Sequence, residues 1–198
     1  LSQDPAISVL LLEAGGDGRS VFVDMPSAFA IPIASKDFNW GYTSEPESAL
    51  HGRSMDAARG RGLGGSSAIN GMVYVRGHAR DFDEWEAMGA AGWNYQNCLP
   101  YFQRAESWML GADDYRGGDG PLGTSNGNNR KNPIYDAFVT AGIQAGYGHT
   151  LDYNGMRQEG FGPMHMTVQN GVRSSTRRAY LEPVRARKNL NICTHAEV

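Results

Sequence analysis

The densest chemistry in the sequence lies between Gly60 and Gly77, GRGLGGSSAINGMVYVRG. Gly60, Gly62, Gly64 and Gly65 fall within six residues, followed by Ser66, Ser67, Asn70 and Gly71. A backbone without Cβ atoms can take positive φ and lie directly against a flat or anionic ligand. Ser66 and Ser67 suit the start of a helix, whose free N–H groups and positive dipole end would face the same way. The loop therefore suits phosphate or a flat ring. A plain surface loop is the competing reading for GRGLGG alone. Gly60, Gly62 and Gly65 also spell GxGxxG, but the dinucleotide fingerprint follows a buried apolar strand, and residues 53–59 are polar and mixed. Gly64-Gly65-Ser66-Ser67-Ala68 lacks the second glycine of a nucleophile elbow, which argues against a serine hydrolase.

A carboxylate is the second candidate. Ile7-Ser8-Val9-Leu10-Leu11-Leu12 is a short apolar run ended by Glu13-Ala14-Gly15-Gly16. Such a run predicts a strand buried on both faces, as in a parallel sheet. An acid at the carboxyl end of that strand is where dinucleotide folds bind the ribose hydroxyls. An ordinary strand ending in a solvated glutamate is the alternative. Asp113, Asp114 and Asp119 do not have the spacing or closing glutamate of a calcium loop, so a solvated turn is expected and no metal site. Cys98 and Cys193 form no CxxC and have no histidine at ligand spacing, so both are expected to be reduced thiols in a cytosolic protein.

Composition sets the limits on these readings. The 198 residues are 40% apolar, enough for a real core, and the net charge of −3 gives no basic face for nucleic acid. No apolar run approaches membrane-spanning length.

Several elements must position the candidates. Residues 25–47 hold three prolines and no sustained period, which predicts a covering loop. Met72 to Val75 reads as a short strand, residues 81–86 as a helix rich in acids at its start, and Asn97 as the cap of a second helix with Pro100 near its first turn. Leu99, Phe102, Tyr95 and Tyr101 are predicted core. Asn132-Pro133 opens the clearest helix, with Ile134, Phe138, Ala141 and Ala145 along one face. Met164 to Val168 and residues 189–193 read as strands, and Ser174 or Ser175 can cap a helix between them.

Gly60, Arg61, Leu63, Gly64, Gly65, Ser66, Ser67, Ile69, Asn70, Tyr74, Gly77 and Asp83 stand at the spacings of a known signature. The chain resembles the glucose-methanol-choline (GMC) oxidoreductases, flavoenzymes that oxidise alcohols. Asn39-Trp40-x-Tyr42 with Glu45-Pro46-Glu47 resembles the choline dehydrogenase-like branch, and Arg173 to Leu181 is similar to the family's R-x-S-T-x-x-x-Y-L segment. The resemblance runs from Leu10 through Val198. It implies an α/β fold: part of an FAD-binding Rossmann-like domain with the start of an α+β substrate domain. Residues 1–112 would belong to the FAD-binding domain, with a lid at about 25–47 and the glycine loop at 60–77; 113–170 would lie in the substrate domain; 171–198 would return.

The implied cofactor is FAD, noncovalent because Ile69 occupies the position where some relatives attach it through histidine. Glu13 would hold the ribose. Gly62, Leu63, Gly64, Gly65, Ser66 and Ser67 would pack against pyrophosphate and ring. Asn70, Gly71, Met72 and Val73 would lie along the flavin edge, and the backbone near Val198 would approach the adenine. Trp40 would wall the substrate cavity, unless it is simply a packed loop aromatic. The family's catalytic histidine and its partner lie near the end of a longer chain, and His51, His78, His149, His165 and His195 match no such motif. No catalytic residue is therefore expected within the 198, and the sequence reads as an internal fragment. The implied reaction is hydride transfer from choline or another primary alcohol to the flavin, with an electron acceptor as second partner. The alternatives are a nicotinamide-dependent dehydrogenase and a non-catalytic interaction module. A bacterial cytoplasmic location is expected, with membrane-surface association allowed for the full-length protein.

Overall fold

The computed structural model describes residues 1–127 and 132–198. The chain is mixed α/β and separates into two compact units, residues 1–72 with 170–198, and residues 73–169. Compactness thus groups residues 73–112 with residues 113–169, whereas the family resemblance implies a first boundary after residue 112. Among the described residues no helix is long and apolar enough to cross a membrane.

The first unit is built on a parallel pair, Val9–Glu13 with Leu190–Thr194, in register from Val9 opposite Leu190 to Glu13 opposite Thr194. Asn189 fixes the entry to this pair, its side-chain amide donating to the carbonyls of Ser2, Asp4 and Ile7. The strand and its parallel pairing match the pattern of the sequence; its burial does not. Leu10 and Leu12 are 62% and 45% exposed. The sheet has only two strands among the described residues, so no layer covers its faces.

Short elements replace the expected irregular cover at 25–47: a 3-10 turn Pro26–Ala28, a helix Ala30–Ala34 and a strand Tyr42–Thr43 paired antiparallel with Asp56–Ala57. The helix Val21–Asp24 is capped by Ser20, whose side chain accepts from the Phe22 N–H. Its Val23 is fully buried against Ala68 and Ile69, with Ile33, Phe38 and Ala58 packed around them. This small core lies beneath the glycine loop and holds its far end in place.

In the second unit the helix Ala79–Ala87 starts with a reciprocal cap, the Arg80 N–H donating to His78 and the His78 N–H to Asp81. The next helix, Tyr95–Ala105, is capped by Asn94 and not by Asn97, whose N–H is the donor to the Asn94 side chain. Pro100 consequently sits inside this helix. The two helices meet through Phe82, Trp85 and Phe102, with ring centroids 5.1 and 5.6 Å from Phe82. Tyr101 is exposed and lies outside that core.

Two further expectations are corrected here. In the helix Pro133–Gln144 the stripe of Ile134 and Phe138 faces outward, 74% and 63% exposed, while Gly142 is buried because the Phe161 ring occupies the space a Cβ would take. The Met164–Val168 strand reduces to bridges of Met166 with Val73 and Ser125 and a two-residue strand Val168–Gln169. At His165 the backbone N–H donates to the Tyr153 hydroxyl at 2.6 Å and not to a neighbouring strand, and the ring lies in a buried charge cluster.

That cluster was not visible in the sequence. Glu106, at the start of the strand Glu106–Trp108, is fully buried and receives Arg76 and Arg116, each at 2.6 Å. Arg116 also reaches Asp152 at 2.8 Å and lies 3.9 Å over the Trp108 ring. Arg116 Nη1 and Asn154 Nδ2 both point at His165 Nδ1, at 3.2 and 3.1 Å. Two converging donors make that nitrogen an acceptor and the imidazole neutral. Burial pushes the His165 pKa down to about 4; Asp152 opposes the shift and Arg116 adds to it.

The unfolded chain protonates this histidine near about 6.5, so unfolding takes up a proton between the two values. The group's contribution is complete above the unfolded value and is lost as pH falls through the folded one, up to about 3 kcal/mol. Urea titrations of the full-length protein should show this loss between about pH 6.5 and about pH 4, and His165→Gln should flatten it. An identical slope in the variant would show that His165 is not held neutral.

Candidate functional site

The site in the first unit starts at the carboxyl end of the Val9–Glu13 strand. Glu13 Oε1 accepts the N–H of Gly15 at 2.8 Å and of Gly62 at 2.7 Å. The strand end and the glycine loop, far apart in sequence, are thus joined through one oxygen. Oε2 of the same carboxylate has no hydrogen bond among the described residues. The Leu63 N–H adds a second tie, donating to the Gly16 carbonyl at 3.0 Å.

Glycine is required at two kinds of position in the loop. At Gly60 a Cβ would overlap the Gly65 carbonyl, so the loop can fold back on itself only without one. At Gly65 φ is +51° and an added Cβ would have no atom within 4 Å. The first glycine serves packing; the second leaves an open surface against which a ligand can lie.

The serines do not start an α-helix. Positive φ at Gly64 and Gly65 leaves only a four-residue 3-10 turn, Gly65–Ala68. Ser66 Oγ accepts from the Gly60 N–H at 3.0 Å, and Ser67 Oγ donates to the Gly64 carbonyl at 2.5 Å. The N–H groups of Gly65, Ser67 and Ile69 are bonded within the loop as well. The loop is therefore a packed platform, with few donors left for phosphate.

Of the remaining residues, Leu63, Ile69 and Met72 are buried, and Met72 takes φ +62°. Asn70 and Gly71 are exposed. Val73 begins the other unit, bridging Met166, and the predicted strand from Met72 to Val75 goes no further than that bridge. Val198 lies beyond the Leu190–Thr194 strand, fully exposed. Trp40 is half-buried, stacked 5.9 Å from Tyr42 and capped by the Arg61 guanidinium at 5.2 Å.

Two residues of the loop's framework come from the segment similar to R-x-S-T-x-x-x-Y-L, where the sequence assigns them no structural role. Arg173 is fully buried and donates to the carbonyls of Val23, Ser67 and Asn70. Thr176 donates its N–H to Ser67 Oγ at 2.9 Å and its hydroxyl to the Gly64 carbonyl at 3.2 Å. The signal available was the RSST run after the Val172–Arg173 strand, where a buried arginine cannot be told from a surface one. Among the described residues no group of three acids, histidines or cysteines could hold a metal ion, and Cys98 and Cys193 are free.

A carboxylate oxygen at a parallel strand end, an open glycine surface and an exposed carboxamide beside it fit a nucleotide ribose and a flat ring. A family model described as GMC oxidoreductase matches residues 10–198. The chain is 60% identical over 185 residues to the oxygen-dependent choline dehydrogenase of Photobacterium profundum, covering 93% of this chain and 33% of that protein. The corresponding protein of Vibrio vulnificus is 58% identical over 193 residues, covering 97% and 34%. The chain thus spans about a third of the length of these curated relatives. Among solved structures, pyridoxine 4-oxidase from Mesorbium loti matches with a TM-score of 0.92 at 34% identity, over 98% of this chain and 38% of that one. An FAD-dependent oxidoreductase from Chaetomium thermophilum matches with 0.87 at 29%, over 98% and 35%.

Proposed function

The chain belongs to the GMC oxidoreductase family, and we propose that the full-length protein carrying it binds FAD noncovalently and oxidises a primary alcohol, choline first among them. The observation that carries this reading is the divided carboxylate of Glu13, with Oε1 held by Gly15 and Gly62 and Oε2 left for the ribose. FAD, when bound, supplies a hydride acceptor for the alcohol carbon, which becomes the aldehyde carbon. The protein's part is to bind and orient. Glu13 accepts from the ribose, Gly62 to Ser67 give a close-packed bed, and Asn70 to Val73 line the ring edge. Residues 1–112 and 171–198 serve the FAD domain and 113–170 the substrate domain; Trp40 borders the substrate. The base that takes the alcohol proton is assigned outside these residues. Oxygen is the acceptor to test first, since both bacterial relatives are named oxygen-dependent. The test is to purify the full-length protein, read its flavin absorbance, and follow acceptor reduction with choline beside aliphatic and aromatic alcohols. A colourless protein that uses a nicotinamide cofactor would overturn the proposal.

Two results are expected for the cofactor. Ile69 carries no nucleophile and is buried, so acid precipitation should leave the flavin in the supernatant; colour in the pellet would mean a covalent bond. Gly65→Val has room in the protein but takes a left-handed conformation, at roughly 1–2 kcal/mol, and places its side chain on the open face of the loop. Flavin should be lost before the fold melts. Normal flavin content with an unchanged melting temperature would show that the face is not the cofactor bed.

A further inference from the structure

Asn70 is held in an unusual way for an exposed side chain. Its Oδ1 accepts the Met72 N–H at 3.1 Å, closing a local turn that carries the chain through the positive φ of Met72. The same Oδ1 accepts Arg173 Nη1 at 2.9 Å, and that nitrogen also donates to the Asn70 carbonyl at 2.7 Å. With the oxygen pinned from two sides, the amide cannot flip, and Nδ2 must point the other way. Asn70 is exposed, and its Nδ2 has no hydrogen bond among the described residues. The guanidinium that does the pinning is itself fixed, because it is fully buried and anchored by Nε on the Val23 carbonyl at 2.8 Å. Burial lowers the Arg173 pKa, with Asp24 opposing, and a buried cation bound largely to neutral carbonyls is costly.

We infer that Arg173 is a positioning residue for the flavin site: it locks the Asn70 carboxamide so that Nδ2–H is presented as a fixed hydrogen-bond donor to the ring edge. The inference rests on the proposed FAD function and adds a polar contact and its support to it. A donor held in advance needs no reorganisation when negative charge grows on the ring, which is where such a contact is worth most. Arg173 does not touch the cofactor in this arrangement; its effect passes through Asn70.

The test compares Arg173→Lys, Asn70→Ala and the double variant in the full-length protein. It reads the flavin absorbance spectrum, the reduction potential, and kcat apart from KM. Asn70→Ala should shift the spectrum, lower the potential and reduce kcat about tenfold, as the loss of one directed hydrogen bond does, with KM for the alcohol little changed. Arg173→Lys should give the same shifts, and the double variant should add nothing to either single. Asn70 is exposed, so its alanine variant keeps the question answerable even if Arg173→Lys fails to fold. Wild-type spectrum and potential in Asn70→Ala overturn the inference, as do a folded Arg173→Lys with wild-type flavin properties and additive effects in the double variant. A full-length protein that holds no flavin at all would instead overturn the function on which it rests.

Discussion

Replacing Glu106 by alanine is expected to lower the unfolding free energy of the full-length protein by about 3–5 kcal/mol. Glu106 Oε1 accepts Arg116 Nη2 at 2.6 Å and the Thr124 hydroxyl at 2.6 Å, while Oε2 accepts Arg76 Nη2 at 2.6 Å and Arg116 Nε at 3.0 Å. Alanine would leave two guanidinium groups without this counter-charge, in a place water does not reach. Breaking a buried pair by removing one partner is far worse than replacing both. Glu106→Gln should fall between, because one oxygen remains to accept while the new amide donors face cations. Urea denaturation monitored by tryptophan fluorescence measures the effect. A loss under about 1 kcal/mol, the range of exposed ion pairs, would show that the cluster is not what holds the second unit together.

The second large effect is expected at Glu13. Each hydrogen bond from a ribose hydroxyl to a carboxylate contributes roughly 1.5–3 kcal/mol, so Glu13→Ala should weaken FAD binding at least about tenfold. The structure adds a second loss, since alanine also releases the N–H groups of Gly15 and Gly62 and frees the loop from the strand end. Glu13→Gln separates the two. Its amide oxygen can keep the backbone ties while its nitrogen replaces the free acceptor, so flavin affinity should fall less than in alanine and the melting temperature should stay near wild type. Dialysis followed by flavin fluorescence reads the affinity. Full occupancy in Glu13→Ala would remove Glu13 from the cofactor site.

The features readable in the sequence were those written in neighbouring residues. The apolar run before Glu13 gave a strand in parallel pairing, and the spacing of Gly62, Gly64 and Gly65 marked a loop of special backbone. Helix caps were less legible. Asn94 and Asn97 are both good caps, and choosing between them depends on Glu86, whose carboxylate receives the Asn94 amide at 2.9–3.0 Å. The outward stripe of Ile134 and Phe138 misled for a related reason, because periodicity finds an apolar face without saying what covers it. Arg76, Glu106, Arg116, Asp152 and His165 carry no local pattern; only the fold brings them together. Arg173 was readable as part of a family-like segment, but an arginine among other arginines and serines gives no sign that its guanidinium is fully buried.

The central claim is that the platform of Glu13 and the glycine loop serves a flavin that takes a hydride from an alcohol. The most direct measurement is rapid anaerobic mixing of the full-length protein with choline, and with choline deuterated at the hydroxymethyl carbon, while the visible flavin absorbance is recorded. The expected result is stoichiometric bleaching that deuterium slows, with an unbleached spectrum when alcohol is omitted. A protein that carries flavin yet is not bleached by choline or by any other primary alcohol would contradict the claim.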